Sequence, residues 1–225
     1  MNYMSKNMIN NVKSGGRMMR ERTIFLMLVL MITFISGCGG GVVGTTGYER
    51  EYTPAEAALR SAWEEYSLGH FSNSIEEFNN VLTYTHSPDQ EVEANVGLGW
   101  AKTKSIGIED GSKYFEAAKD FDNDAKVGLA GYYLSTAKKE NMVKGIELLT
   151  TFGLDNVDYV YTPKRDYGIN NAKAHALMAA MYNYVGEIEK AKSHAKKAAE
   201  LNIPPAEPPY TSVTQVVDWI NLRGD

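Results

Sequence analysis

Cysteine is almost missing from this 225-residue chain, Cys38 being the only one. A disulfide framework within the chain is thereby excluded, as is a thiolate metal cluster. Histidine is scarce too: the four are His70, His86, His175 and His194, and none stands in a metal-ligand spacing such as HExxH. His70 falls in a turn, while His175 and His194 fall on helices, where surface or edge positions are expected for them. The chain also lacks a P-loop, a GxGxxG run and a GxSxG elbow. Its acidic pairs, Glu64-Glu65 and Glu76-Glu77, lie opposite apolar stripes and read as solvated faces. No catalytic residue, metal or cofactor is assigned, and the chain is not expected to be an enzyme.

Positive charge is the next shortage. Lys6, Lys13, Arg17, Arg20 and Arg22 precede residue 38 with only Glu21 opposing them, so 23 basic and 28 acidic residues become 18 and 27 beyond it, a net charge near −9. Such a surface is a poor match to nucleic acid or to an anionic lipid surface, since either needs a basic face to neutralise phosphates, and no nucleic-acid partner is expected. Long apolar runs are absent apart from one, "TIFLMLVLMITFISG" at 23–37. It is too short to span a bilayer comfortably, but it follows Arg17, Arg20 and Arg22 as the core of an export signal does. Counted from Met18 or Met19, that signal has an ordinary length. The remaining stretch of about 190 residues suits one compact domain or a short solenoid.

What is present starts at the end of that run. Ile35-Ser36-Gly37-Cys38 resembles a bacterial lipobox, in which an aliphatic residue and two small ones precede cysteine. The resemblance implies diacylglycerol on the Cys38 sulfur, cleavage after Gly37, and acylation of the new amine by a palmitate-type chain. Two or three acyl chains anchor stably, since each buried methylene contributes roughly 0.8 kcal/mol. The glycine-rich "GGGVVGTTG" that follows is a flexible tether. Gly39 stands where an aspartate would mark inner-membrane retention in enteric-type bacteria, so the chain resembles an outer-membrane lipoprotein. Residues 1–37 are thus expected as signal and 38–52 as anchor and tether. The expected location is the bacterial cell envelope, on the periplasmic face of the outer membrane.

From Thr53 onward the periodicity is helical. Thr53-Pro54-Ala55-Glu56 predicts a capped helix start, and Ser87-Pro88-Asp89-Gln90 repeats its chemistry. Leu59, Ala62, Trp63 and Tyr66 recur at spacings of three and four, as do Ile75, Phe78 and Leu82 after a turn at Gly69. Ala94-Asn95-Val96-Gly97-Leu98 is echoed by Ala125-Lys126-Val127-Gly128-Leu129, with looser echoes starting at Ala55 and Ala174. Repeats starting at 55, 94, 125 and 174 are spaced as stacked helical hairpins are.

In these stretches the chain resembles the tetratricopeptide repeat. Ala62, Gly69, Phe71, Phe78 and Val81 match its pattern in the first unit, with Ser74 in the usual alanine place. Ala179, Tyr182, Gly186, Ala191, Ala195 and Ala198 match it in the last, which Pro204 closes. The middle units depart from it: Phe115 and Ala118 are kept in one, and Gly145 replaces the alanine of the other. The resemblance covers residues 53–204 and implies an all-α, right-handed solenoid of about four hairpins. Ala and Gly let helices cross closely, and the following aromatic fills the wedge toward the next pair. The end of such a stack needs a cap. The proline-rich turn and Ser212–Leu222 stripe within 205–225 are expected to supply one.

By that repeat geometry the first helix of each pair lines a groove, which nominates Trp63, Tyr66, Trp100, Lys104 and Lys138 as partner contacts. An insert at 153–170 adds Tyr161 and Arg165, within a cluster that includes Lys164 and Tyr167. Val157, Tyr159 and Tyr161 alternate with Asp158 and Val160, a short extended pattern that Pro163 ends. Two readings of this insert are open: it touches a ligand, or its tyrosines pack over a hairpin edge while its charges are solvated. Binding of a protein or peptide partner in envelope assembly, export or secretion is the expected function. The alternatives are a small-molecule-binding or enzymatic periplasmic domain using the insert, and a purely structural spacer.

Overall fold

The computed structural model describes residues 51–202. They lie in the second of two units into which the chain divides, Met1–Glu49 and Arg50–Asp225. The signal, Cys38 with its glycine tether, the proline-rich turn and the expected cap from Ser212 lie outside the described residues. Every regular element among the described residues is helical, so the all-α expectation holds. The helices are α1 (Pro54–Ser67), α2 (Phe71–Thr83), α3 (Pro88–Ser105), α4 (Ile108–Ala118), α5 (Asn123–Ser135), α6 (Lys139–Thr150), α7 (Asn171–Val185) and α8 (Ile188–Leu201). None of them is long and apolar enough to cross a membrane.

The two sequence-predicted starts have the chemistry expected of them. Glu56 N donates to Thr53 Oγ1 at 3.2 Å, and Thr53 N donates back to Glu56 Oε2 at 2.9 Å. Ser87 and Gln90 reciprocate in the same way, at 3.3 and 2.8 Å. Each box satisfies two backbone donors that the first turn would leave unpaired, and proline fits there because its missing N–H is no loss. At the end of α7, Gly186 adopts a left-handed φ of 94°, which stops the helix without a side-chain clash.

Each helix packs on its successor, and the odd-numbered helices also touch in series, α1 on α3, α3 on α5, and α5 on α7. The spacing is tight where glycine meets phenylalanine. A Cβ on Gly97 of α3 would stand 2.1 Å from the Phe78 ring of α2. Likewise Cβ atoms on Gly99 and Gly128 would stand 2.3 and 2.5 Å from the Phe115 ring of α4. Bare backbone therefore forms the socket into which each ring sinks, and both rings are fully buried.

Two apolar clusters result. The first joins α1 to α4 with the start of α5 through Trp63, Phe78, Leu98, Trp100, Phe115 and Tyr167. The second joins α5 to α8 through Met142, Leu149, Met178, Met181 and Tyr182, with Leu154 and Tyr161 of the insert. The insert forms no strand. Its alternation nevertheless acts as expected: Tyr161 is buried and Tyr159 half-buried, while Val160 between them points to solvent.

Candidate functional site

The insert crosses the odd-numbered helices and supplies most of the site. Its backbone is anchored first: Tyr161 N donates to Asn171 Oδ1 at 2.9 Å, at the start of α7. Asp122 and Asp124, at the start of α5, take the next residues. Asp122 caps that helix, its Oδ1 accepting from Asp124 N at 2.8 Å and Ala125 N at 3.1 Å. Its other oxygen accepts from Lys164 Nζ at 2.6 Å. Asp124 accepts from the Tyr161 hydroxyl at 2.6 Å and from Lys164 N at 2.9 Å. Both carboxylates are buried, so each would be costly without these donors.

Electrostatics at Asp124 balance opposing effects. Burial pushes its carboxyl above the ordinary value, while the hydrogen bonds from Tyr161 and Lys164 N pull it down. The Tyr161 and Tyr167 hydroxyls are pushed up, by burial first and then by the Asp124 charge. Both hydroxyls therefore stay protonated at neutral pH.

Beyond Lys164 the segment, hereafter the strap, closes over aromatic rings. Tyr167 stacks on Trp100 with centroids 5.0 Å apart and planes 11° apart. It also meets Trp63 at 6.0 Å and Tyr66 at 6.3 Å. The Arg165 guanidinium lies 4.3 Å above the Trp63 ring. It donates to Glu93 Oε1 at 2.5 Å, and the Trp63 indole N–H donates to the same oxygen at 2.7 Å. A planar cation suits this place because it stacks and hydrogen-bonds together. Lys173 Nζ holds the far end by donating to Gly168 O at 2.8 Å.

Among the described residues, clefts flank the strap on two sides. One, of about 690 Å³, is lined by Asp89, Glu91, Val92, Phe121, Asp122 and Arg165 among others. Phe121 is the most exposed large apolar residue described, at 77%. The other, of about 610 Å³, is lined by Trp63, Tyr66, Phe71, Lys104, Arg165 and Tyr167 among others. The Tyr66 hydroxyl and the Trp100 indole N–H are buried and find no hydrogen-bond partner among the described residues.

The sequence-nominated residues therefore separate. Trp63, Tyr66 and Trp100 are buried beneath the strap, and Tyr161 is buried in the insert just before it. Lys104 is exposed on the second cleft, and Arg165 borders both. Lys138 lies at the start of α6, exposed, and lines neither cleft. Cys38 lies outside the described residues. None of Glu93, Asp122 and Asp124 is nominated by the sequence: Asp122 and Asp124 stand at the start of α5, where capping alone explains an acid, and Glu93 stands in the second turn of α3 with no local signal.

One expectation is corrected. His175 and His194 are not at the surface: they are 0% and 2% exposed and face each other across α7 and α8. Ala174, Ala179, Ala191 and Ala195 of the same two helices are buried in the second cluster. Among the described residues no group of three or more His, Cys, Asp or Glu is placed to hold a metal ion. No family model, curated protein or solved structure matches the chain.

Proposed function

We propose that this chain is a lipid-anchored helical-repeat scaffold of the bacterial cell envelope, holding a protein or peptide partner during assembly, export or secretion. Within that reading the described helices are four tetratricopeptide-like hairpins of a right-handed solenoid. Series contact among α1, α3, α5 and α7 supports it, as do the glycine sockets at Gly97, Gly99 and Gly128. The anchor rests on the lipobox-like Ile35-Ser36-Gly37-Cys38.

One observation carries the location of binding: the chain lays its own strap over Trp63 and Trp100, and leaves the 690 Å³ cleft open next to it. Phe121 offers that cleft an apolar contact, and Asp89 and Glu91 give it acidic walls beyond the acids already paired with Lys164 and Arg165. A partner segment carrying an apolar residue next to a basic one fits this chemistry. Tyr161 is packed into the helices and its hydroxyl is already bonded to Asp124, which is why binding is preferred over small-molecule chemistry at the insert.

A photoreactive residue placed at Phe121 tests this in living cells, with the same residue at Lys138 as control. A defined crosslinked species from position 121 and none from 138 is the expected result. Equal crosslinking at both positions, or none at 121, overturns the assignment. Release of a Cys38→Ser chain from membranes, or its retention as uncleaved precursor, tests the anchor separately.

A further inference from the structure

We propose that His175 and His194 form one buried proton-binding site, in which a single added proton is shared between their Nδ1 atoms. The rings lie 5.2 Å apart, tilted by 33°, with Nδ1 to Nδ1 at 3.0 Å. On the outer sides, His175 Nε2 lies 3.0 Å from Tyr159 O and His194 Nε2 lies 3.2 Å from Asp155 O. A carbonyl oxygen can only accept, so each outer contact requires a proton on Nε2. The inner contact requires one as well, because two bare imidazole nitrogens at that distance present lone pairs to each other.

Three contacts thus need three protons, whereas two neutral imidazoles carry two. A neutral pair must leave one contact empty, whichever tautomers it adopts. One added proton fills the row completely, from Tyr159 O through both rings to Asp155 O. A second finds no acceptor and sets two cations side by side, so the site takes one proton and stops.

The surroundings fix where uptake occurs. Burial opposes charge on both rings and holds them below the ordinary imidazole value, His194 at about 4 with a further push from His175. From the insert, Asp155 and Asp158 favour the cation; from α8, Lys197 opposes it and is itself held to Asp158 at 3.1 Å. Tyr182 of α7 lies 5.5 Å from His194, with Lys190 of α8 5.3 Å from its ring, and burial keeps its hydroxyl protonated. Uptake therefore belongs on the acid side of the ordinary imidazole range.

The consequence reaches the strap. Both outer acceptors sit at its root, and the same segment continues to Tyr161, Lys164 and Tyr167 on the odd-numbered helices. Proton occupancy sets whether both ties of that root, to α7 through His175 and to α8 through His194, can be made together with the contact between the two rings.

Nitrogen-15 labelling of histidine in the full chain reads this directly, since only four histidines are present and each can be followed separately. The expected result is a common midpoint for His175 and His194, below the ordinary imidazole value of 6.5, with uptake of one proton between them. Separate midpoints at ordinary values contradict the proposal, as does a pair that stays neutral until the chain unfolds. A His194→Gln chain keeps an amide donor toward Asp155 and removes the inner nitrogen. With its fold checked by circular dichroism, its His175 should lose the shared titration; an unchanged titration overturns the proposal. The titration of the parent chain decides the matter by itself if that variant does not fold.

Discussion

The two apolar clusters are built by opposite means and tied by one segment. The first is rigid and aromatic: Phe78 and Phe115 sink into glycine sockets, and Trp63, Trp100 and Tyr167 fill the space above. The second is soft, filled by Met142, Met178 and Met181 among alanines, and it encloses two imidazoles. The insert joins them, rooted in the second cluster through Leu154 and Tyr161 and ending in the first through Tyr167. Aromatic packing fixes position, since flat rings have few rotamers and large buried area, whereas methionine adapts its shape. The rigid cluster therefore positions the clefts, and the soft one leaves a place for a titrating pair.

The largest effect that tests this contrast comes from the junction. Tyr167→Ala removes a buried ring from the first cluster and should cost about 3–5 kcal/mol in urea unfolding, with Trp fluorescence shifted toward that of exposed indole. A cost under 1 kcal/mol would mean that the strap is an ornament on the helices and fixes nothing.

Acid tests the second cluster. The histidine pair is held below the ordinary value of 6.5, so the unfolded chain binds more protons than the folded one in that interval. Stability is then complete above about 6.5 and is lost as pH falls toward about 4, by on the order of 2 kcal/mol. His194→Gln should flatten this part of the pH profile of unfolding. A profile equally steep in the variant assigns the loss to carboxylates instead.

Glycine substitutions compare the two clusters directly. Gly97→Ala drives a methyl group into the Phe78 ring and should destabilise by about 1–3 kcal/mol, despite alanine's better helix propensity. Gly145→Ala meets the Met181 sulfur at 2.6 Å instead, an atom near the end of a flexible side chain. Its effect should stay within about 1 kcal/mol of zero. Equal costs at the two positions would remove the distinction between rigid and soft packing.

The smallest effect is expected at the rim. Arg165→Ala removes a partly exposed ion pair with Glu93 and a stacking contact on Trp63, worth about 1 kcal/mol or less. Its readout is the indole environment of Trp63, with the melting temperature nearly unchanged.

Much of this was legible before any coordinates. Thr53 and Ser87 announced helix starts because capping is local chemistry between residues three apart. Trp63, Tyr66 and Trp100 fell on helical faces by spacing alone. Periodicity does not say whether such a face meets a partner or the chain itself, and here the chain's own strap covers it. Apart from the short-range bonds with Asn171 and Lys173, the segment's partners are distant in sequence, 37 residues for Tyr161 on Asp124 and 72 for Arg165 on Glu93. No local pattern encodes contacts at that separation. His175 and His194 were misplaced for a related reason: a histidine among alanines reads alike on a surface and between two helices, and only the opposing ring distinguishes the cases.

Closure of the strap over the odd-numbered helices places the Tyr167 ring on the Trp100 indole. Ring-to-ring Overhauser contacts of Tyr167 in the full chain test it most directly. The account predicts strong contacts to the Trp100 indole and weaker ones to Trp63, matching separations of 5.0 and 6.0 Å. A Tyr167 ring with solvent-like shifts and no indole contact would contradict it.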